Sequence, residues 1–321
     1  MNEQEQQEKD MQHWQQDTLT KLVFASLNEQ RRTRRWNNFF KALFAGYLFL
    51  LLLIMLFPGG TQQRITTGPH TALVEIDGVI AADTDASADN VITGLREAFE
   101  DHNTKGVILR INSPGGSPVQ AGYINDEIKR LREKYPKTKL YAVVTDICAS
   151  GGYYIAAAAD AIYVDKASIV GSIGVIMNGF GFVDAMDKLG IERRLYTAGE
   201  NKGFLDPFSP QREEEVAHAR QLLGNIHQQF IDTVKQGRGD KLKDDAKLFS
   251  GLVWTGEESV KLGLADALGS SSHVAREVIK AENIVDFTPK PDYWKRFADR
   301  IGTAMAETFA QLMQFSSGSL R

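Results

Sequence analysis

An α/β domain with a mainly parallel sheet is predicted for residues 71–321, and three observations predict it. Short apolar runs rich in Val and Ile recur, among them Ala72–Ile76, Gly106–Ile111 and Leu140–Val144. Segments with helical spacing separate them, such as Val91–Phe99 and Ala121–Lys134. Polar or glycine-containing turns join the two kinds of segment, as at Asp77-Gly78 and Gly151-Gly152. Strands that alternate with helices imply parallel neighbours and right-handed crossovers. A stretch of this length is long enough for one sizeable core.

In order, Ala72–Ile76 reads as a strand, Val91–Phe99 as a helix and Gly106–Ile111 as a second strand. Ala121–Lys134 is an amphipathic helix with Ile124, Ile128 and Leu131 on one face. Leu140–Val144 is a third strand, and a helix opens at Gly151. Strands follow at Ala161–Val164 and Ile173–Met177, then a helix at Phe182–Leu189 and a strand at Glu192–Tyr196. Ser209-Pro210 is expected to start a long helix, because proline suits the first helical position and Glu213, Glu214 and Glu215 suit its positive end. Ala219, Leu222, Leu223, Ile226, Phe230 and Val234 mark its buried face, and Gly237-Arg238-Gly239 ends it. Gly251–Gly269 reads as a turn with a short helix. Trp294, Phe297, Ile301, Met305, Phe309 and Leu312 form a C-terminal amphipathic stripe suited to packing, self-association or a membrane surface.

Ahead of this domain, residues 1–38 form a polar tail rich in Gln, Glu and Arg. Arg31, Arg32, Arg34, Arg35 and Lys41 crowd the edge of an apolar block, and no charge occurs from Ala42 to Phe57. Residues 39–57 approach the roughly 20 that span a bilayer and are read as a transmembrane anchor. The basic flank places the N-terminus in the cytoplasm and everything after Pro58 outside, as in a single-pass protein of a bacterial inner membrane. A buried core helix and a cleaved signal peptide are the alternatives, and no Ala-x-Ala-like site follows Phe57. Residues 58–70 are a polar linker.

The composition is ordinary for a globular chain: 321 residues, net charge −4, 43% hydrophobic, with no sign of nucleic-acid binding. The one cysteine, Cys148, excludes an internal disulfide framework and any Cys-based zinc cluster.

The chemistry centres on Asp146–Ile155, where a buried strand hands over to a helix at Ser150-Gly151-Gly152. A helix start offers free backbone N–H groups and a partial positive charge. That suits a serine nucleophile with an oxyanion site beside it, although an N-cap serine would also explain the residue. Ser113-Pro114-Gly115-Gly116-Ser117 follows another strand and bares backbone donors, so Gly116 N–H could face Gly151 N–H. Val170-Gly171-Ser172-Ile173-Gly174 carries a second glycine-flanked serine. Tyr196–Gly203 carries a lone lysine, Lys202. No histidine lies between His102 and His218, so lysine is the alternative base. Lowering an amine from about 10.4 to near neutrality takes about 4 kcal/mol, which desolvation can supply. Lys202 is therefore expected to be buried, with Glu200 turned away from it.

Taken together, Ser-Pro-Gly-Gly-Ser, Ala-Ser-Gly-Gly-Tyr-Tyr, Val-Gly-Ser-Ile-Gly-Val and Gly-Glu-Asn-Lys closely resemble the signal peptide peptidase A family of serine proteases, in order from about Ala72 to Leu268. The resemblance implies a Clp-protease-like, crotonase-related fold and a Ser/Lys dyad. It matches Ser150 to the nucleophile, Lys202 to the general base and Ser172 to the serine that orients the lysine. Gly116 and Gly151 match the oxyanion donors. It implies no metal and no other cofactor. It also implies a homo-oligomer whose dyad can be completed across a subunit boundary, acting on remnant signal peptides and other apolar, extended segments near the membrane. Three other readings remain open: a membrane-bound protease with a dedicated protein substrate, a crotonase-fold hydratase or isomerase, and a tethered scaffold without activity.

Overall fold

The computed structural model describes residues 30–52 and 68–289, and the chain divides into two units, Met1–Ile65 and Thr66–Arg321. In the first unit, residues 30–52 form helix α1. Trp36, Phe39, Phe40, Phe44 and Phe49 on it are each more than half exposed. Among the described residues no helix is long and apolar enough to cross a membrane. The expected anchor, 39–57, runs on through residues 53–57, which lie outside the described residues, as do residues 1–29 and the C-terminal stripe from Trp294 to Leu312.

The second unit is built on β1 (His70–Asp77), α2 (Ala88–Glu100), β2 (Thr104–Ser113), α3 (Pro118–Lys134), β3 (Lys139–Ala149) and α4 (Gly151–Ala156). β4 (Ala161–Val164), β5 (Ile169–Gly171), α5 (Val183–Leu189) and α6 (Glu213–Arg238) follow. The domain closes with β6 (Val253–Thr255), α7 (Gly256–Lys261), β7 (Ala267–Leu268), the short α8 (Ser271–His273) and β8 (Ile284–Asp286). The strand order is β6-β5-β3-β2-β1-β8, with β4 also on β3 and β7 on β4. Every pairing is parallel except β5 with β6, so the sheet is mixed.

Alternation along the central strands divides the core. Ala72, Val74 and Ile76 of β1, Val107, Leu109 and Ile111 of β2, and Leu140, Ala142 and Val144 of β3 pack under the helices. Leu73, Ile108 and Val143 point the other way, onto Val274 and Ala275. The period of two is the strand repeat, so one sheet serves two apolar faces. α2 buries Val91, Leu95, Ala98 and Phe99 at helical spacing. α3 starts on Pro118, with the Ser117 hydroxyl accepting the Gln120 N–H.

β3 is the longest strand and has two successive partners on one side. Tyr141–Val143 pair with β4, and Ile147–Ala149 pair with β5. β5 therefore lies beside the last residues before Ser150. The strand expected at Ile173–Met177 is absent; β5 lies earlier, at Ile169–Gly171, because Ser172 adopts φ +53° and turns the chain out of the ladder. The strand expected at Glu192–Tyr196 is also absent, and that stretch is exposed coil. α6 begins at Glu213 rather than Pro210, since Arg212 has an extended backbone (φ −96°, ψ 137°) and serves as the N-cap.

α2 and α3 are tied by Glu127, 8% exposed, which accepts from Arg96 at 2.7 Å and Arg130 at 2.6 Å. The Arg130 hydrogen bond lowers the Glu127 carboxyl most and Arg96 adds to it; together they outweigh burial and bring it from 4.5 to about 2. A carboxyl lowered by folding adds stability above its unfolded value, and that stability is lost as pH falls through the folded one. Acid unfolding followed by circular dichroism is expected to show a steep loss between pH 4.5 and about 2. Glu127→Gln is expected to be less stable at neutral pH but to lose less over that window.

Candidate active site

The site forms where β3 ends. Ser150 takes φ +50° and ψ −120°, a backbone that L-residues rarely adopt, and its side chain makes no capping bond to α4. Such a conformation costs on the order of 1–3 kcal/mol and persists only where its surroundings impose it. Here they do: the Ser150 N–H donates to the Gly171 carbonyl at 2.9 Å, and its own carbonyl accepts the Tyr154 N–H at 2.9 Å. The N-cap alternative for Ser150 loses its side-chain support.

The loop after β2 packs directly on this turn. A methyl group at Gly115 would lie 2.7 Å from the Ser150 Cβ and 2.8 Å from the Gly151 nitrogen. A methyl at Gly116 would lie 2.1 Å from the Ile80 carbonyl oxygen. One at Gly151 would meet the Gly116 nitrogen at 3.3 Å. The Gly116 and Gly151 N–H groups thus belong to two segments in contact beside Ser150. The Ile80–Gly116 bridge holds the loop in place, with Ile80 N–H donating to Gly115 and Ser117 N–H to Ile80.

Ser172 sits one residue beyond Gly171, just as Ser150 sits one beyond Ala149, and Ala149 and Gly171 are register partners. The two serines are therefore neighbours at adjoining strand ends, both with left-handed backbones. Ser172 N–H donates to the Leu252 carbonyl at 2.7 Å.

A cavity of about 160 Å³ opens beside Ser150. Gly116, Pro118, Ala121, Gly151 and Tyr154 line it together with Gly174, Val175, Ile176, Ile226, Gln229 and Phe230. The Tyr154 and Phe230 rings pack at 5.2 Å. Asn125 Nδ2 holds the Tyr154 carbonyl at 2.7 Å, and Thr233 donates to the Tyr154 hydroxyl at 2.9 Å. The ring Nε2 of His227 lies 3.1 Å from the Ile173 carbonyl, against the segment that forms the cavity wall. Asn125 and His227 had no signal in the sequence. Ile226 and Phe230 did, through the spacing that marks the buried face of α6; Phe230 is buried in the core as well as lining the cavity.

Lys202 does not join this group. It lies in an exposed turn, contrary to the expected burial, and is not among the residues that line the cavity. One chain thus assembles Ser150, Ser172 and the two glycines but leaves the amine outside. Cys148, fully buried, has its thiol pushed up by desolvation, which makes it a poor nucleophile. Among the described residues no cluster of His, Cys, Asp and Glu could hold a metal ion.

A strained serine at a strand-to-helix turn, facing backbone donors over an apolar cavity, defines a site fitted for acyl transfer through a serine hydroxyl. The sequence profile described as peptidase family S49 matches residues 132–285, which include Ser150, Ser172 and Lys202. A Synechocystis protein named as a protease is 31% identical over 207 residues, which is 64% of this chain and 72% of that protein. An Enterococcus faecium protein named as a signal peptide peptidase SppA is 30% identical over 199 residues, 62% of this chain and 57% of that protein. A Brucella abortus protein named Na(+)/H(+) antiporter NhaA is 48% identical over 183 residues, 57% of this chain but only 25% of that protein. The chain therefore spans a quarter of one relative and little over half of another. It belongs to peptidase family S49, the family of the signal peptide peptidase A enzymes.

Proposed function

We propose that this chain is a membrane-anchored serine endopeptidase that uses a Ser150/Lys202 dyad on apolar, extended peptides, remnant signal peptides included. The observation that carries the proposal is the left-handed Ser150 wedged against the Gly115-Gly116 loop at the mouth of an apolar cavity. The fold is proposed to be of the Clp-protease and crotonase-like class.

In this mechanism Ser150 Oγ attacks the peptide carbonyl carbon as its proton passes to the neutral Lys202 amine. The Gly116 and Gly151 N–H groups hold the oxyanion. The tetrahedral adduct then breaks its C–N bond, and the ammonium returns the proton to the leaving amine. Water, deprotonated by the same lysine, opens the acyl-enzyme. Ser172, next to Ser150, would hydrogen-bond and orient the amine. Since Lys202 is exposed in its own chain, the dyad is proposed to close between two copies in a homo-oligomer. Ile176, Phe180, Leu189 and Tyr196, all at least 72% exposed, supply an apolar surface for that contact. Anchoring through residues 39–57, with the N-terminus cytoplasmic and the domain outside, is supported by the uncharged run from Ala42 to Phe57.

The test is hydrolysis of fluorogenic peptides by the full chain in detergent, together with fluorophosphonate labelling. Cleavage of apolar peptides and labelling at Ser150 are expected. Absence of labelling in an assembled, folded sample would overturn the reading. The aromatic floor sets the size of side chain accepted at the scissile bond. Phe230→Ala is expected to shift preference toward bulkier residues by about tenfold in kcat/KM, measured across a peptide series.

A further inference from the structure

Lys202 makes no side-chain hydrogen bond or ion pair among the described residues, yet the turn that carries it is tightly held. Within the turn, Lys202 N–H donates to Gly199 at 3.1 Å, Phe204 N–H to Asn201 at 3.2 Å and Asp206 N–H to Gly203 at 3.1 Å. Two residues at the start of α6 reach it from outside. Arg212 Nη2 donates to Asn201 Oδ1 at 3.3 Å. The His218 ring meets Phe204 edge-on at 5.7 Å. Leu205 in the same turn has φ +52°, a backbone that its surroundings must impose. Glu215 is 7% exposed and is itself paired with Arg212.

An exposed loop with no task needs no such clamp. A base delivered to a nucleophile does, because misplacement by about 1 Å can cost roughly 100-fold in rate.

We propose that Glu215 is a positioning residue for Lys202, bracing the Arg212 guanidinium that holds Asn201 in the turn presenting the amine. This role rests on the dyad proposed above. From here Glu215 acts on the reaction only through the lysine it places.

The test uses the full chain in detergent and reads kcat and KM for peptide hydrolysis, the fluorophosphonate acylation rate and the assembly size. Glu215→Ala is expected to lower kcat by roughly 100-fold with KM and assembly little changed. Glu215→Gln, which keeps an oxygen for the Arg212 guanidinium, is expected to restore most of the rate. Adding Glu215→Ala to Lys202→Ala is expected to cost nothing further, since residues acting through one group are not additive. A Glu215→Ala enzyme with wild-type kcat would overturn the proposal, and so would an added loss on top of Lys202→Ala. If Glu215→Ala fails to assemble, Asn201→Ala removes the group that Arg212 holds; an unchanged acylation rate there overturns the proposal, and a fall of about tenfold supports it. Full activity of Lys202→Ala would sink the dyad and this role together. An inactive Lys202→Ala beside a fully active Glu215→Ala would sink the clamp alone.

Discussion

Ser150→Ala and Lys202→Ala are each expected to lower peptide hydrolysis by roughly 1,000-fold or more, and together to be no worse than either alone. Both variants should keep the assembly and the circular dichroism of the parent, since neither side chain supports the core. Fluorophosphonate labelling is expected to vanish in Ser150→Ala and to slow sharply in Lys202→Ala. The distinctive outcome comes from mixing. If the dyad is shared between copies, co-expressing the two inactive chains yields some interfaces with an intact serine and an intact lysine. Activity is then expected to return to a sizeable fraction of the parent value. Purified mixed assemblies that stay inert would show that each dyad needs both residues from one chain.

Gly116→Ala is expected to have the next largest effect. The added methyl has no room, because the Ile80 carbonyl oxygen would lie 2.1 Å away and the Ile80 nitrogen 2.8 Å away. Backbone cannot rotate aside as a side chain can, so the loop must back off from Ile80. That breaks the bridge to Gly116 and moves its N–H away from Gly151. Loss of one oxyanion donor costs about 100- to 1,000-fold in kcat. The readouts are kcat, expected to fall by that range, and KM, expected to hold. A neighbouring control, Gly122→Ala on α3, has nothing within 4 Å of the new methyl and should behave as the parent. Equal kcat in the two variants would remove the Gly116 loop from the reaction.

The elements that were legible in the sequence are those where local pattern and tertiary demand agree. β1, β2 and β3 have apolar residues on both faces, and both faces are buried, so short apolar runs sufficed to find them. The turn at Ser150 was legible because a strand, two glycines and an alanine-rich run leave few ways to continue. What went astray lies between Ser172 and Arg212. Ile173–Met177 has the composition of a strand, but Ser172 leaves the ladder at φ +53°, and Ile176 is 83% exposed. Leu195 and Tyr196 are likewise exposed, with no ladder partner. Apolar residues read as core when their true surroundings are a cavity or open surface. The late start of α6 has a different cause. Arg212 is extended so that its guanidinium can reach Asn201 and Glu215, and a tertiary contact overrides the proline signal at Pro210. The position of Lys202 follows the same logic, because nothing local to Gly-Glu-Asn-Lys states whether the amine faces its own chain or another.

If the dyad closes between copies as proposed, that exposed amine carries a safeguard. A newly made copy on its own would hold the attacking hydroxyl without the group that rouses it, and so would spare its neighbours. Output would then climb faster than in proportion to abundance at low density and flatten once pairing saturates, so crowding itself becomes the trigger.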